Sequence, residues 1–142
     1  MSLNTRANFL MVVSIIFGIY SLLWGLAPFA GFNIPARFIL DFSDWPIDNL
    51  SAPLDRNTMW LSAIAAGLLG AVSIFLGRIV VPALKEGNRP VIHATILAMM
   101  VWYILDSAGS MAAGVSSNVV FNSIYLALVL IPLVCINKNA VA

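Results

Sequence analysis

Long apolar runs alternate with short breaks rich in polar residues, proline or glycine along this chain. Four of these runs each supply the roughly 20 apolar residues that a helix needs to cross the hydrocarbon core of a bilayer. The pattern therefore predicts an all-α integral membrane protein, a bundle of four transmembrane helices in one domain that covers residues 1–142. The predicted spans cover residues 7–30, 57–81, 90–113 and 118–136, and an outer loop covers residues 31–56.

Composition supports a membrane protein. Hydrophobic residues make up 61% of the chain and charged residues 9%, and the mean hydropathy is +0.98. A soluble domain carries about 25% charged residues, so this chain cannot cover itself with polar surface and needs lipid as its solvent. The net charge of +1 gives no basic surface for nucleic acid, and the single Cys135 excludes an internal disulfide.

The first apolar run is longer than the 7–15 residues of a signal-peptide core, so we interpret it as a span. Orientation follows the basic residues, which concentrate on the cytoplasmic side of membrane proteins. Two of the seven, Arg37 and Arg56, fall in the outer loop with most of the acidic residues. The distribution predicts that both termini are cytoplasmic, because the other five fall on the opposite side: Arg6, Arg78, Lys85, Arg89 and Lys138.

Small residues recur at helical spacing in the first two spans, where they allow close helix packing. Their spacing of three and four residues suits left-handed crossing of neighbouring helices. One interpretation is packing inside the bundle, and the other is that one of the two stripes docks the helix of a partner protein. The first stripe is Ser14, Gly18, Ser21 and Gly25, and the second is Ala63, Gly67, Gly70 and Gly77, with Ile74 in the same rhythm.

Asp106 is the only acidic side chain within the four predicted spans. A carboxylate there is costly and is a functional candidate by default. The turn of about four residues after the third span makes the last two helices antiparallel neighbours, which brings Asn118 and Asn122 near Asp106. We expect Asp106 to hydrogen-bond Asn122 or a serine, in a polar cluster that also includes Tyr103 and Ser110. This cluster is either a structural clasp or a proton or ligand site.

His93 is the only histidine and lies one turn into the third span. A lone histidine could serve as the axial ligand of a pigment, whereas a haem held by two histidines would need a second one. The ordinary interpretation is an interfacial side chain close to Arg89 and lipid headgroups.

The outer loop is too apolar to be a plain linker. Pro35 is placed to open a short helix, from which Phe38 and Phe42 would dip into the membrane interface while Trp45 anchors at headgroup level. The aspartates of this loop lack the spacing of a calcium loop, so no metal site is expected.

Catalytic motifs are absent from the sequence, which contains no GxSxG, Walker loop, HExxH or CxxC. We therefore expect no enzymatic activity and no cofactor, apart from a pigment or quinone as an alternative. Such a ligand would contact either His93 or the pair Trp102 and Tyr103.

The order of segments resembles a known layout. A first span ends in Gly25, Pro28 and Gly31, and an outer loop, a second span with Gly67 and Gly70, a short basic turn and a closing helical hairpin follow. This layout is similar to that of small four-helix bacterial inner-membrane proteins, DoxX-like in the loose sense, which are mostly of unknown function. The resemblance implies four spans in a bacterial inner membrane, and it implies no particular activity or functional residue.

Three functions follow as expectations. The first is a small accessory or scaffold subunit of a larger membrane complex, which contacts the lipid bilayer and either other subunits or further copies of itself. The second is a small oligomeric transporter or carrier that uses the polar cluster around Asp106. The third is a subunit that binds a pigment or quinone.

Overall fold

The structure, a computed structural model, describes residues 2–48 and 53–134. Within these residues the secondary structure is helical and contains no strand. Four of the five helices are long and apolar enough to cross a membrane, as the sequence predicts. The helices are α1 (Leu3–Trp24), α2 (Ile34–Ser43), α3 (Arg56–Lys85), α4 (Arg89–Ala112) and α5 (Ser116–Leu133).

The four long helices run up and down in antiparallel fashion. We call one end of the bundle, which carries α2 and the turn between α4 and α5, the α2 end. The opposite end, which holds the start of α1, the turn between α3 and α4 and the end of α5, is the termini end. Helix α1 packs against α3 on one side and α5 on the other, and α4 packs against α5. Helix α4 meets α3 chiefly through residues 76–85, at the termini end.

Polar side chains start two of the long helices. The Asp55 carboxylate accepts hydrogen bonds from the backbone N–H of Asn57 at 2.8 Å and of Thr58 at 3.1 Å, which caps α3. The Asn88 side chain accepts one from Val91 N–H at 3.4 Å and so caps α4. These caps fix both starts within a residue of the predicted spans.

The first helix ends earlier than the sequence prediction. Its last residue is Trp24, and hydrogen-bonded turns follow from Gly25 to Phe32, whereas the predicted span extended to residue 30. Pro28 accounts for the difference, because proline disfavours helical backbone in the residue before it and cannot donate a backbone hydrogen bond. The other predicted spans differ by smaller shifts. The predicted end of the fourth at residue 136, like Cys135 and Lys138, lies outside the described residues.

Helix α3 widens before its last turn. The stretch Leu76–Val80 is π-helical, and the α-helix then resumes at Val81–Lys85. Pro82 explains this, because it has no N–H to donate to the carbonyl of Arg78 and its ring crowds that carbonyl. The π turn lets the helix pass the proline and continue to Lys85, four residues beyond the predicted span.

The main core lies toward the termini end. It contains the fully buried side chains Leu10, Leu76, Val80, Leu84 and Val129, contributed by α1, α3 and α5. A smaller cluster of Ala27, Ala36 and Leu54 lies at the α2 end. The bundle is therefore packed most densely at the end where α3 and α4 meet.

Arg6 joins the first and last helices at the termini end. Its Nη1 donates to the carbonyl of Pro132 at 3.2 Å and also to the carbonyl of Val134. The last carbonyls of a helix have no intrahelical partner and carry partial negative charge, so a guanidinium suits this position. Pro132 lies in the final turn of α5, which ends one residue later at Leu133.

Candidate functional site

The turn between α4 and α5 sets the position of the polar cluster. Gly114 adopts a left-handed φ of 83°, and its N–H donates to the Met111 carbonyl at 3.2 Å. The next N–H, of Val115, donates to the Ser110 carbonyl at 2.9 Å. This pair of bonds is a Schellman motif, which closes α4 and starts α5 immediately after it. The short connection brings the first two turns of α5 beside the last turns of α4.

Asp106 forms the centre of the cluster. Its Oδ1 accepts hydrogen bonds from Asn122 Nδ2 at 2.9 Å, Asn118 Nδ2 at 3.0 Å and Ser110 Oγ at 3.2 Å. Asn118 Nδ2 also donates to Ser110 Oγ at 2.8 Å. Asp106 therefore accepts both of the predicted bonds, one from Asn122 and one from a serine, Ser110. Three donors from two helices meet on one oxygen, which couples α4 to α5.

The cluster is buried unevenly. Asn122 is 3% exposed, whereas Asp106, Ser110 and Asn118 are half-buried. Within residues 2–48 and 53–134, no hydrogen bond reaches Asp106 Oδ2 and no basic side chain pairs with it. One carboxylate oxygen is thus fully engaged in the clasp, and the other is left with acceptor capacity.

Tyr103 does not join the hydrogen bonds of this cluster, although the prediction included it. Its hydroxyl lies 3.0 Å from Ser123 Oγ, in a separate contact between α4 and α5. Ser107, which the predicted cluster omitted, is 8% exposed and lies 3.4 Å from Asn122 Nδ2. Sequence spacing places both Tyr103 and Ser107 near the face of Asp106. The rotation of α4 against α5 brings only Ser107 into contact with Asn122.

A seam of serines and glycines joins α1 to α3 in antiparallel register. Ser21 Oγ donates to the Ala66 carbonyl at 2.7 Å, and Ser73 Oγ donates to the Ser14 carbonyl at 2.7 Å. Three glycines of the seam each face a serine side chain. An added Cβ would lie 2.9 Å from Ser73 Oγ at Gly18, 2.8 Å from Ser21 Oγ at Gly70 and 2.9 Å from Ser14 Oγ at Gly77. The predicted stripe of α1, including Gly25 next to Ala66, lies on this seam.

The predicted stripe of α3 divides between two faces. Gly70 lies on the seam, but Ala63 and Gly67 are exposed, and nothing lies within 4 Å of a Cβ added at Gly67. The residues that contact α1 follow the line through Ala66 and Ser73 instead. Gly70 lies both on this line and on the predicted stripe through Ala63 and Gly67, because the two cross on the helix surface. Spacing alone therefore does not show which of the two contacts α1. Packing of Ala63 and Gly67 against a partner stays a prediction.

Helix α2 packs its aromatic side chains against the bundle and against one another. The Phe42 ring centroid lies 4.6 Å from that of Phe121 on α5 and 5.9 Å from that of Phe38. Ser117 Oγ donates to the Ser43 carbonyl at 2.7 Å and accepts from Trp45 N–H at 3.0 Å. Pro35 occupies the first turn of α2, as predicted. Phe38 and Trp45 remain 57% and 59% exposed, so their predicted contact with an interface stays open.

A row of aromatic rings between α1 and α5 was not predicted from the sequence. Tyr125 lies edge-on to Phe17 and Tyr20, with centroids 5.7 and 5.8 Å apart, and Tyr20 lies 6.1 Å from Trp24. The spacing of Phe17, Tyr20 and Trp24 by three and four residues is the signal that places them on one face. The row fills the space between α1 and α5 toward the α2 end.

His93 is exposed on the first turns of α4. Among the described residues, no group of three or more His, Cys, Asp or Glu side chains is arranged to hold a metal ion. Trp102 is half-buried against the main core. The pigment or quinone contact proposed for these residues stays a prediction.

Comparison of the chain with protein-family models, with curated proteins and with solved structures gave no match. The function must therefore be argued from the geometry above.

Proposed function

We propose that the chain is an integral membrane protein whose four long helices cross the bilayer. At 1.5 Å per residue they measure between about 27 and 45 Å, against a hydrocarbon core of about 30 Å. Large apolar side chains cover their outward faces. Leu22 is 74% exposed, Leu68 64%, Leu97 66% and Ile124 49%, one on each long helix. A soluble protein rarely exposes so much contiguous apolar surface, and lipid accounts for it.

The termini end faces the cytoplasm in this proposal, because Arg6, Arg78, Lys85 and Arg89 all lie there. The membrane is a bacterial inner membrane, as the resemblance in layout implies. Single cysteines introduced into a Cys135→Ser background test the orientation. A cysteine at Glu86 should react with a membrane-impermeant maleimide only after the cells are opened, whereas one at Ser116 should react in intact spheroplasts. The reverse pattern would contradict the orientation.

We further propose that the protein is a small accessory or scaffold subunit of a larger membrane complex. The positions of the polar side chains support this subunit role. Serine hydroxyls of the α1–α3 seam and the amides around Asp106 are used in contacts between neighbouring helices, at Ser21, Ser73 and Asn122. Polar side chains thus fix the bundle, and the remaining faces offer apolar surface. The exposed small residues Ala63 and Gly67 on α3 would allow a partner helix to approach closely.

Purification of the tagged protein from native membranes in a mild detergent tests this function. We expect one discrete particle, larger than the chain alone, with partner proteins in fixed stoichiometry by native mass spectrometry. A homogeneous small particle of this chain alone would contradict the subunit role.

Two matched variants then locate the contact. Gly67→Leu and Gly109→Leu make the same change at exposed glycines of α3 and α4, where an added Cβ meets nothing within 4 Å. Loss of partners in Gly67→Leu alone would place the contact on the small-residue stripe of α3.

A small oligomeric carrier is the second candidate, favoured by the acceptor capacity of Asp106 Oδ2. If the chain is a carrier, the wild type should support flux of a proton or monovalent cation into proteoliposomes. Asp106→Asn should abolish this flux without changing the size of the purified particle. Loss of assembly in the same variant, without any flux by the wild type, would favour the clasp instead.

A further inference from the structure

The two oxygens of the Asp106 carboxylate have different surroundings. Oδ1 accepts from Ser110, Asn118 and Asn122, while no described residue donates to Oδ2. The donors on Oδ1 are neutral amides and a hydroxyl, so they orient the carboxylate without supplying a positive charge. A carboxylate within a membrane is costly until an opposite charge pairs with it. The described part of the chain supplies hydrogen bonds to this carboxylate but no positively charged partner for it.

Access to Oδ2 follows from the way α4 leaves the core. Met99 and Asp106 are seven residues apart and share a face of α4. Met99 is buried at 8% exposure, whereas Asp106 is half-buried, so this face opens toward the α2 end. Helix α3 leaves α4 in the same direction, because the two meet chiefly at residues 76–85 and residues 56–75 pack on α1. The part of α4 that carries Asp106 therefore packs chiefly on α5 and makes few contacts with α3.

Depth decides between the groups that could supply the charge. Asp106 lies six residues before the end of α4 at Ala112, which is about 9 Å along the helix axis. Lipid ammonium groups lie in the headgroup region, outside the hydrocarbon core. A basic side chain on a neighbouring membrane helix reaches this depth, because its aliphatic stem lies along the apolar surface and carries the charge to its end.

We propose that Asp106 Oδ2 accepts a hydrogen bond from a lysine or arginine on a transmembrane helix of a partner protein, which packs against α4 beside Asp106. This inference rests on the subunit role proposed above and specifies the chemistry of the partner. The neutral donors on Oδ1 hold the carboxylate in position, and charge complementarity selects a basic helix over an apolar one.

Synthetic membrane peptides provide the probe. One is a leucine–alanine helix with a single lysine about 9 Å from its outer end, and the matched control has leucine in place of the lysine. Each carries an acceptor dye, and energy transfer from labelled protein in phosphatidylcholine vesicles reports binding. We expect the lysine peptide to bind the wild type about tenfold more tightly than the control, in the range of polar contacts between membrane helices.

Two variants separate the ion pair from the clasp. Asp106→Asn keeps an acceptor oxygen for Ser110, Asn118 and Asn122 but replaces Oδ2 with an uncharged amide, so the preference for the lysine peptide should disappear. Tyr103→Phe removes a different hydrogen bond between α4 and α5, the one to Ser123, and leaves the contacts of Asp106 unchanged, so the preference should persist. Equal binding of both peptides to the wild type, or an unchanged preference in Asp106→Asn, would overturn the proposal.

The outcome is distinguishable from that of the subunit role. If the chain purifies alone but still prefers the lysine peptide, the site for a basic helix is supported and the subunit role is refuted. A native complex that keeps its partners in Asp106→Asn, with no peptide preference, would refute this site and leave the subunit role intact. Saturable binding of butylammonium to the wild type that is lost in Asp106→Asn, together with equal binding of the two peptides, would assign the site to a small cation and refute the partner helix.

Discussion

Replacement of Gly70 by alanine tests whether α1 and α3 are held at the distance that the seam requires. A Cβ at this position would lie 2.8 Å from Ser21 Oγ, closer than side-chain carbons pack. The Ser21 hydroxyl donates to the Ala66 carbonyl at 2.7 Å, so it cannot rotate away without losing that bond. Either the bond breaks or the helices separate, and both reduce the free energy of unfolding.

The expected magnitude follows from three contributions. Alanine in place of glycine favours a helix by about 0.5–1 kcal/mol. Overpacking a close contact costs about 1–3 kcal/mol, and loss of the Ser21 hydrogen bond costs about 0.5–1.5 kcal/mol. The two costs less the gain in helix propensity give about 0.5–4 kcal/mol, which is the amount by which we expect Gly70→Ala to lower the free energy of unfolding.

Gly67 supplies the matched control, because it lies on the same helix and nothing is within 4 Å of its added Cβ. Gly67→Ala should raise the free energy of unfolding by about 0.5–1 kcal/mol, from helix propensity alone. Titration of both variants with dodecyl sulfate in dodecyl maltoside micelles, followed by circular dichroism, measures the difference. If Gly70→Ala proved as stable as Gly67→Ala, the close seam between α1 and α3 would be refuted.

A second substitution identifies the obstructing atom. In Ser21→Ala/Gly70→Ala the hydroxyl is gone, and the remaining Cβ of residue 21 lies at an ordinary 3.8 Å from the added Cβ. The double variant should therefore be more stable than the sum of the two single effects predicts, by about 1 kcal/mol. Strict additivity would show that Ser21 Oγ does not obstruct residue 70.

Three further predictions concern the helix ends and the clasp. Asp106→Ala leaves the amide donors of the clasp without their acceptor and should lower the free energy of unfolding by about 2 kcal/mol, with a smaller loss in Asp106→Asn by the same titration. Arg6→Gln removes the guanidinium from the carbonyls that end α5 and should cost about 1 kcal/mol, an effect that a neutral Thr5→Ala control should not reproduce. Hydrogen bonds from Thr58 hold the pKa of Asp55 below its ordinary value, so the stability that this carboxylate contributes is complete above its unfolded pKa of about 4 and is lost as the pH falls through the lower folded pKa. Asp55→Asn should reduce the acid sensitivity of the unfolding midpoint, and an unchanged pH profile would contradict this cap.

The four long apolar helices were predictable because length and hydropathy, which decide whether a segment can cross a bilayer, are properties of the sequence alone. Helix starts were predictable where a side chain supplies the cap, as Asn88 does for α4. The end of α1 was not fixed by apolar character, because residues 25–30 remain apolar after the helix has ended at Trp24. The continuation of α3 to Lys85 required a π turn around Pro82, which substitutes for the kink or break that a proline usually causes.

Side-chain contacts were predictable where a short connection fixes the register. The turn at Gly114 brings α5 back beside α4 with little freedom along the axis, so Asp106 and Asn122 meet as expected. Rotation about the helix axes is less constrained by the turn, and it directs Tyr103 to Ser123 instead. The same ambiguity applies to α3, where the seam follows Ser73 because its hydroxyl reaches a carbonyl of α1.

The asymmetry of the Asp106 carboxylate connects fold and function. A purely structural clasp between two membrane helices would be served by a neutral asparagine or serine, which accepts amide donors without the cost of a charge. Here the donors converge on Oδ1 and the half-buried carboxylate retains acceptor capacity at Oδ2. An acidic side chain that has no basic partner within the described bundle is explained when it pairs with one outside the bundle. The clasp would then have a second role, since its donors to Oδ1 hold the carboxylate in place for a basic partner helix.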